Sequence, residues 1–202
     1  AGHAFQAYTT NKLQTVPEYG FPSSEAAEIH SMSMEFFAYP WMDRFFGDQQ
    51  MKYKKLHTSE ALTFVPYGVC VDEFQHRVYE KPDMTPDERK AVWHELEQKY
   101  LPTRDYDGAE IFEKGAFFFQ KLHIFMYPFY YVDYTLASMA AFEFYGKMQQ
   151  DREAAWADYY RLCCLGGSLR YLDLLEAAHL SNPFREGSVR KAIEPLVRFV
   201  ES

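Results

Sequence analysis

A chain of 202 residues, 48% of them hydrophobic, is large enough to bury one or two cores. Its net charge of -8, with no run of five or more basic residues, argues against nucleic acid as a partner. No apolar stretch approaches the roughly 18 to 20 residues that span a bilayer, so no membrane partner is expected. The three cysteines are an odd number and two of them are adjacent, which is not a disulfide framework. A reducing, cytoplasmic compartment is expected from this.

The pattern in chain order is helical almost throughout. A short first helix is followed by a loop, "TNKLQTVPEYGFP", read from its Pro and Gly content. "SSEAAEIHSMSMEFFAYPWMDRFF" is a helix with Ser23 or Ser24 as N-cap and Glu25 in its first turn. Helix breaks at Gly47, resumes up to Pro66, and continues as a further segment from Tyr67 to Pro82. "TPDERKAVWHELEQKYLP" carries the clearest signal: Thr85 as cap, Pro86 at the first helical position, and Glu88 completing a capping box. "TRDYDGAE" is a loop, and the apolar run "GAFFFQKLHIFMYPFYYV" reads as a buried wall. A long helix is expected from near Pro128 to Gln149, and another from Asp151 to Leu165, ended by Gly166 and Gly167. Two short helices, near Leu169–His179 and Val189–Val200, finish the chain. The fold class is all-α, with no repeat and no evident linker.

Three groups of residues could carry chemistry. His3 lies on the first helix, Glu28 on the second, and Glu35 two turns further along the same face. In an H-E-x-x-H motif two histidines one helical turn apart reach a zinc, and the Glu between them activates a water. A later carboxylate completes the ligand set. "AGH" would be the last three residues of such a motif. The plainer reading has His3 as a terminal histidine and both glutamates as exposed helix carboxylates. The longer form of the motif, with Gly and a third His, is excluded because Gln6 and Thr9 stand at those positions.

The second group is "HIFMYPFYYVDY", with His123, Tyr127, Tyr130, Tyr131 and Tyr134. On one helix the four tyrosines would form a single stripe. Aromatic stripes are usually core, yet four hydroxyls on one face are costly to bury unpaired. Tyr and His donors are also what a developing oxyanion requires.

The third group is Glu73-x-x-His76 and Glu176-x-x-His179. With two lone glutamates (Glu28 or Glu35, and Glu143) these give the recipe of a di-iron helical bundle. A non-catalytic helical interaction module is a further alternative. His57 and His94 sit among charged residues and read as surface; His30 points away from the Glu28 face. Cys163-Cys164 is not a C-x-x-C pair, and Gly166-Gly167 does not open a helix, so it is no phosphate loop.

Taken in order, several stretches resemble the C-terminal part of the oligoendopeptidase F and thimet-oligopeptidase group of zinc metallopeptidases. "GHAFQAY" resembles the end of its zinc motif, and "EAAEIHSMSMEFF" its third-ligand helix. "VPYGVCVDEFQHRVYEKPDMTPDERKAVWHELEQKYLP" is similar to the helical stretch that follows, and "HIFMYPFYYVDYTLASMAA" to the substrate-binding segment. "LCCLGGSLRYLDLLEAAHLSNPFREGSVRKAI" resembles the C-terminal end. The resemblance implies one zinc ion held by His3 and Glu28, with Glu35 steadying a ligand histidine. It implies that His123, Tyr134 and Tyr131 serve catalysis, that Tyr127 and Tyr130 contact substrate, and that the substrates are short peptides. Glu73 and His76 become framework residues. The first zinc histidine and the general-base Glu would stand just before Ala1. The N-terminal half of the enzyme would then be a partner of residues 1–202, and the 202-residue chain by itself is expected to be inactive.

Overall fold

The computed structural model describes residues 1–202. There are ten α-helices and no strand: α1 Gly2–Leu13, α2 Ser24–Phe37, α3 Asp43–Phe46, α4 Gln50–Glu80, α5 Pro86–Tyr100, α6 Leu122–Met126, α7 Tyr131–Gln150, α8 Arg152–Leu165, α9 Tyr171–Ala177 and α10 Ser188–Glu201. The longest connection, from α5 to α6, contains a π-helical turn at Phe112–Ala116 and a 3-10 turn at Phe117–Gln120. The all-α class expected from the sequence is the class observed. No helix is long and apolar enough to cross a membrane.

The chain divides into two compact units. One comprises Ala1–Leu62 and Leu136–Ser202, the other Thr63–Thr135. Both divisions fall inside helices, α4 and α7, so no linker composition marks them. In the first unit Ala26, Ile29, Phe37, Phe144, Tyr159, Leu162 and Leu174 form the core. The carbonyls of Cys163 and Cys164, in the last turn of α8, have no helical N–H left to accept from. The Thr10 hydroxyl donates to the first at 2.6 Å and the Gln14 amide to the second at 2.8 Å. These bonds fasten α1 to the end of α8. Gly166 has φ 53, and a Cβ there would lie 2.3 Å from Tyr19 O, so only glycine ends α8 in this way. The Gly167 N–H donates to the same carbonyl at 2.8 Å.

In the second unit Tyr67, Val71, Phe74, Trp93, Leu96, Phe118 and Tyr131 form a separate core. The Thr85 capping box at the start of α5 is made as its sequence predicts: the Glu88 N–H donates to the Thr85 hydroxyl at 3.3 Å, and the Thr85 N–H to the Glu88 carboxylate at 2.7 Å.

Several expectations differ from the structure. The single helix expected up to Phe46 is divided into α2 and α3 by a 3-10 turn at Tyr39–Trp41, where Pro40 cannot donate to the helical ladder. Residues 10–13, expected as loop, complete α1. The helix expected to stop at Pro66 runs through it as α4. Proline removes one backbone donor and crowds the preceding turn, a cost of about 3 kcal/mol. Burying Tyr67, Cys70, Val71 and Phe74 on the continuing helix offsets that cost. The helix expected from Pro128 begins only at Tyr131. Residues 127–130 form a turn instead, in which Phe129 has φ 62. The apolar run 115–132 is a wall on one side only. Ala116, Phe118, Ile124 and Tyr131 are buried, whereas Phe119, Leu122, Phe125, Met126 and Tyr127 are exposed.

Candidate functional site

The first unit brings His3 and Glu28 together. His3 Nε2 lies 3.4 Å from Glu28 Oε2. Gly2 makes this approach possible, because a Cβ on it would fall 2.0 Å from the carbonyl oxygen of His30 on α2. Any larger residue would push α1 away from α2, and His3 with it. Ser31 donates to Glu28 Oε2 at 3.0 Å and fixes that carboxylate. His3 is half exposed, so the pair has an open side. Two donors on a tetrahedral zinc, with bonds of about 2.0 to 2.2 Å, stand about 3.4 Å apart. The imidazole nitrogen and carboxylate oxygen therefore have the chemistry and the separation of two zinc ligands.

His30 faces the opposite way into the core. Its carbonyl accepts from the Tyr159 hydroxyl at 3.0 Å, and its Nδ1 lies 3.4 Å from Cys163 Sγ. Burial, with the nearby His3, pushes it down to about 3, so it is neutral. Glu35, on the same helix as Glu28, pairs with His57 Nε2 at 2.7 Å. His57 Nδ1 meets the Tyr39 hydroxyl at 2.7 Å, and that hydroxyl meets Thr58 at 2.9 Å. With Nε2 donating to Glu35, Nδ1 accepts from Tyr39. His57 is thus no surface residue, contrary to the sequence reading. Its charged sequence neighbours gave no sign of Phe36 and Tyr39, whose rings pack against it.

The second unit brings the aromatic group together. The His123 ring is surrounded by Tyr131 at 5.2 Å, Tyr134 at 5.8 Å, Tyr130 at 6.1 Å and Tyr127 at 6.3 Å between centroids. The stripe expected on one helix is instead built from the turn at 127–130, which carries Tyr127 and Tyr130, and the first turn of α7, which carries Tyr131 and Tyr134; the short α6 supplies His123. Tyr127 is exposed, Tyr130 and Tyr134 are half-buried, and Tyr131 is buried. Burial, with Tyr134 beside it, pushes Tyr131 up to about 12, so its hydroxyl keeps its proton at neutral pH. Lys121 lies 5.0 Å over the Tyr131 ring, and burial lowers its pKa.

The di-iron groups find other partners. The Glu73 carboxylate accepts from Lys99 at 2.7 Å and from Tyr100; His76 lies 3.6 Å from Asp72. His179 pairs with Asp158 at 2.8 Å, and Glu143 accepts from the Ser181 N–H at 2.9 Å. No three His, Cys, Asp or Glu side chains gather as a metal-binding group.

The site thus has two parts, a His–carboxylate pair in one unit and a ring of tyrosines about a histidine in the other, on an all-α chain. The chain belongs to Peptidase family M3, whose family model matches residues 1–192. No curated protein matches it. It is similar to a crystal structure described as a candidate oligoendopeptidase F, at 52% identity and TM-score 0.95, over 100% of this chain and 35% of that one. A structure of PZ peptidase A with an inhibitor is similar at 48% identity and TM-score 0.95, over 99% of this chain and 35% of that one. A further candidate oligoendopeptidase F, from Bacillus anthracis str. Ames, gives 46% identity and TM-score 0.84, over 99% and 32%. The chain thus spans about a third of the length of these relatives.

Proposed function

We propose that residues 1–202 are part of a zinc-dependent endopeptidase that hydrolyses short peptides. The observation that carries this reading is the 3.4 Å separation of His3 Nε2 and Glu28 Oε2. These two residues would hold one zinc ion. Bound there, zinc would supply a water acidic enough to attack near neutral pH and would polarise the scissile carbonyl. Glu35, whose Oε2 is held by His57, would steady a metal-binding imidazole through its other carboxylate oxygen. His123, Tyr134 and Tyr131 would donate hydrogen bonds to the carbonyl oxygen as charge builds on it, each worth roughly 3 to 4 kcal/mol in such sites. Tyr127 and Tyr130 would hold the peptide.

A catalytic zinc takes three protein ligands, and the attack needs a general base. The third ligand and the base would come from outside these residues, with the N-terminal half of the same enzyme as partner. The 202-residue chain alone would then be inactive. Its three unpaired thiols suit the cytoplasm.

The test is metal analysis and a quenched-peptide assay on the full-length gene product. Glu28→Ala should lose zinc and at least about a hundredfold in rate. Tyr134→Phe should keep zinc and lose roughly a hundredfold in kcat. Wild-type activity in both variants would refute the assignment.

A further inference from the structure

Phe129 is an aromatic residue in a conformation that favours glycine, with φ 62. Three residues of α4 hold it there. Gln75 Oε1 accepts the Phe129 N–H at 3.0 Å. The Phe129 ring lies 4.9 Å from His76 and 5.0 Å from Tyr79. Gln75 is only 1% exposed, and its Nε2 finds no protein partner. A buried amide with an unpaired donor is a cost to the fold, and leucine would fill the same space without it. The geometry therefore asks what the retained oxygen does.

The turn it holds joins the two helices of the His/Tyr group. The Tyr127 N–H donates to the His123 carbonyl at 3.0 Å, and the Tyr130 N–H to the Tyr127 carbonyl at 3.2 Å. Phe129 is the neighbour of Tyr130, whose ring stacks on His123 with 18° between planes. Released from its left-handed conformation, Phe129 would rotate the following peptide and swing Tyr130 off His123.

We infer that Gln75 is a positioning residue for the peptidase site: its side-chain oxygen fixes the Phe129 backbone and thereby the placement of Tyr130 and Tyr127 about His123. The inference rests on the peptidase reading above. Gln75 is buried and acts through the turn.

The test compares Gln75→Leu with Gln75→Glu in the full-length gene product. Leucine removes the acceptor and keeps the volume, whereas glutamate keeps an acceptor. Gln75→Leu should lose about tenfold in kcat with KM changed less than twofold, and its zinc content should stay at the wild-type level. Hydrogen exchange at the Phe129 amide should become at least about tenfold faster. Gln75→Glu should restore both readouts to within about twofold. Gln75→Met gives the same comparison if the leucine variant does not fold. An active wild type with an equally active Gln75→Leu or Gln75→Met overturns the positioning role alone. So does a leucine variant whose Phe129 amide exchanges no faster than in the wild type, because the turn would then be held without Gln75. A wild type that binds zinc and cleaves no peptide overturns the peptidase reading, and the positioning role with it.

Discussion

At the scale of single residues, contact distances decide what composition cannot. Gly2 illustrates this. In sequence it is one of 10 glycines, and in the structure it lets α1 lie against the backbone of α2. Gly2→Ala would bring a Cβ within 2.7 Å of Ser31 Cα as well as onto the His30 carbonyl. Overpacking against rigid backbone costs about 1 to 3 kcal/mol. The variant should therefore melt several degrees lower and, under the proposed function, bind zinc more weakly, read by calorimetry and metal titration. Unchanged zinc affinity would show that His3 does not depend on this contact. Asp158 provides a pH prediction. Burial alone would raise it, but Lys147 at 2.6 Å and His179 at 2.8 Å more than offset that and hold it below the usual carboxylate range. A lowered folded pKa means that the ionised form favours the fold. The contribution is complete above the ordinary carboxylate value, near 3.8, and is lost as pH falls through the lower folded value. Asp158→Asn should flatten the acid limb of a stability-against-pH curve and cost about 1 kcal/mol at pH 7, measured by urea titration.

At the scale of elements, local signals read well where the chain satisfies its own backbone. Thr85, Pro86 and Glu88 specify the start of α5 within one turn, and the structure makes every bond they imply. Thr85→Ala should cost about 1 kcal/mol in unfolding free energy without altering zinc content or rate. A loss of activity at native stability would contradict a purely local role. Pro66 shows the reverse case. Its local chemistry argues for a break, yet the core residues beyond it keep α4 continuous. The turn at 127–130 was equally hidden. Tyr127, Tyr130, Tyr131 and Tyr134 have helical spacing, but Pro128 and the left-handed Phe129 interrupt the helix. The grouping of these tyrosines with His123 was legible in the residue types; the backbone that achieves it was not. Gln75 could not be found from sequence, because its partner lies far along the chain and is a main-chain N–H.

At the scale of the whole molecule, the exposed apolar side chains between residues 119 and 127 stand out. Phe119 and Phe125 stack on one another there, and exposed apolar groups that gather in this way mark a surface that is covered in use. Under the proposed function, the remaining two-thirds of a full-length enzyme supplies that cover. Residues 1–202 expressed alone should bind an apolar dye strongly, and the full-length gene product should bind several-fold less. Equal dye binding by the two would remove this assignment.

The sequence by itself determined the helical class, the family, the cap of α5, the glycine stop of α8 and the residue types of both candidate groups. Each of these is set by side chains a few positions apart or by a motif with little freedom in spacing. Only the tertiary structure decided the rest: that Gly2 brings His3 to Glu28, that Glu35 pairs with His57, that α4 passes through Pro66, and that the tyrosines surround His123 from a turn. These depend on contacts between segments far apart in the chain, where burial and close packing outweigh local preference.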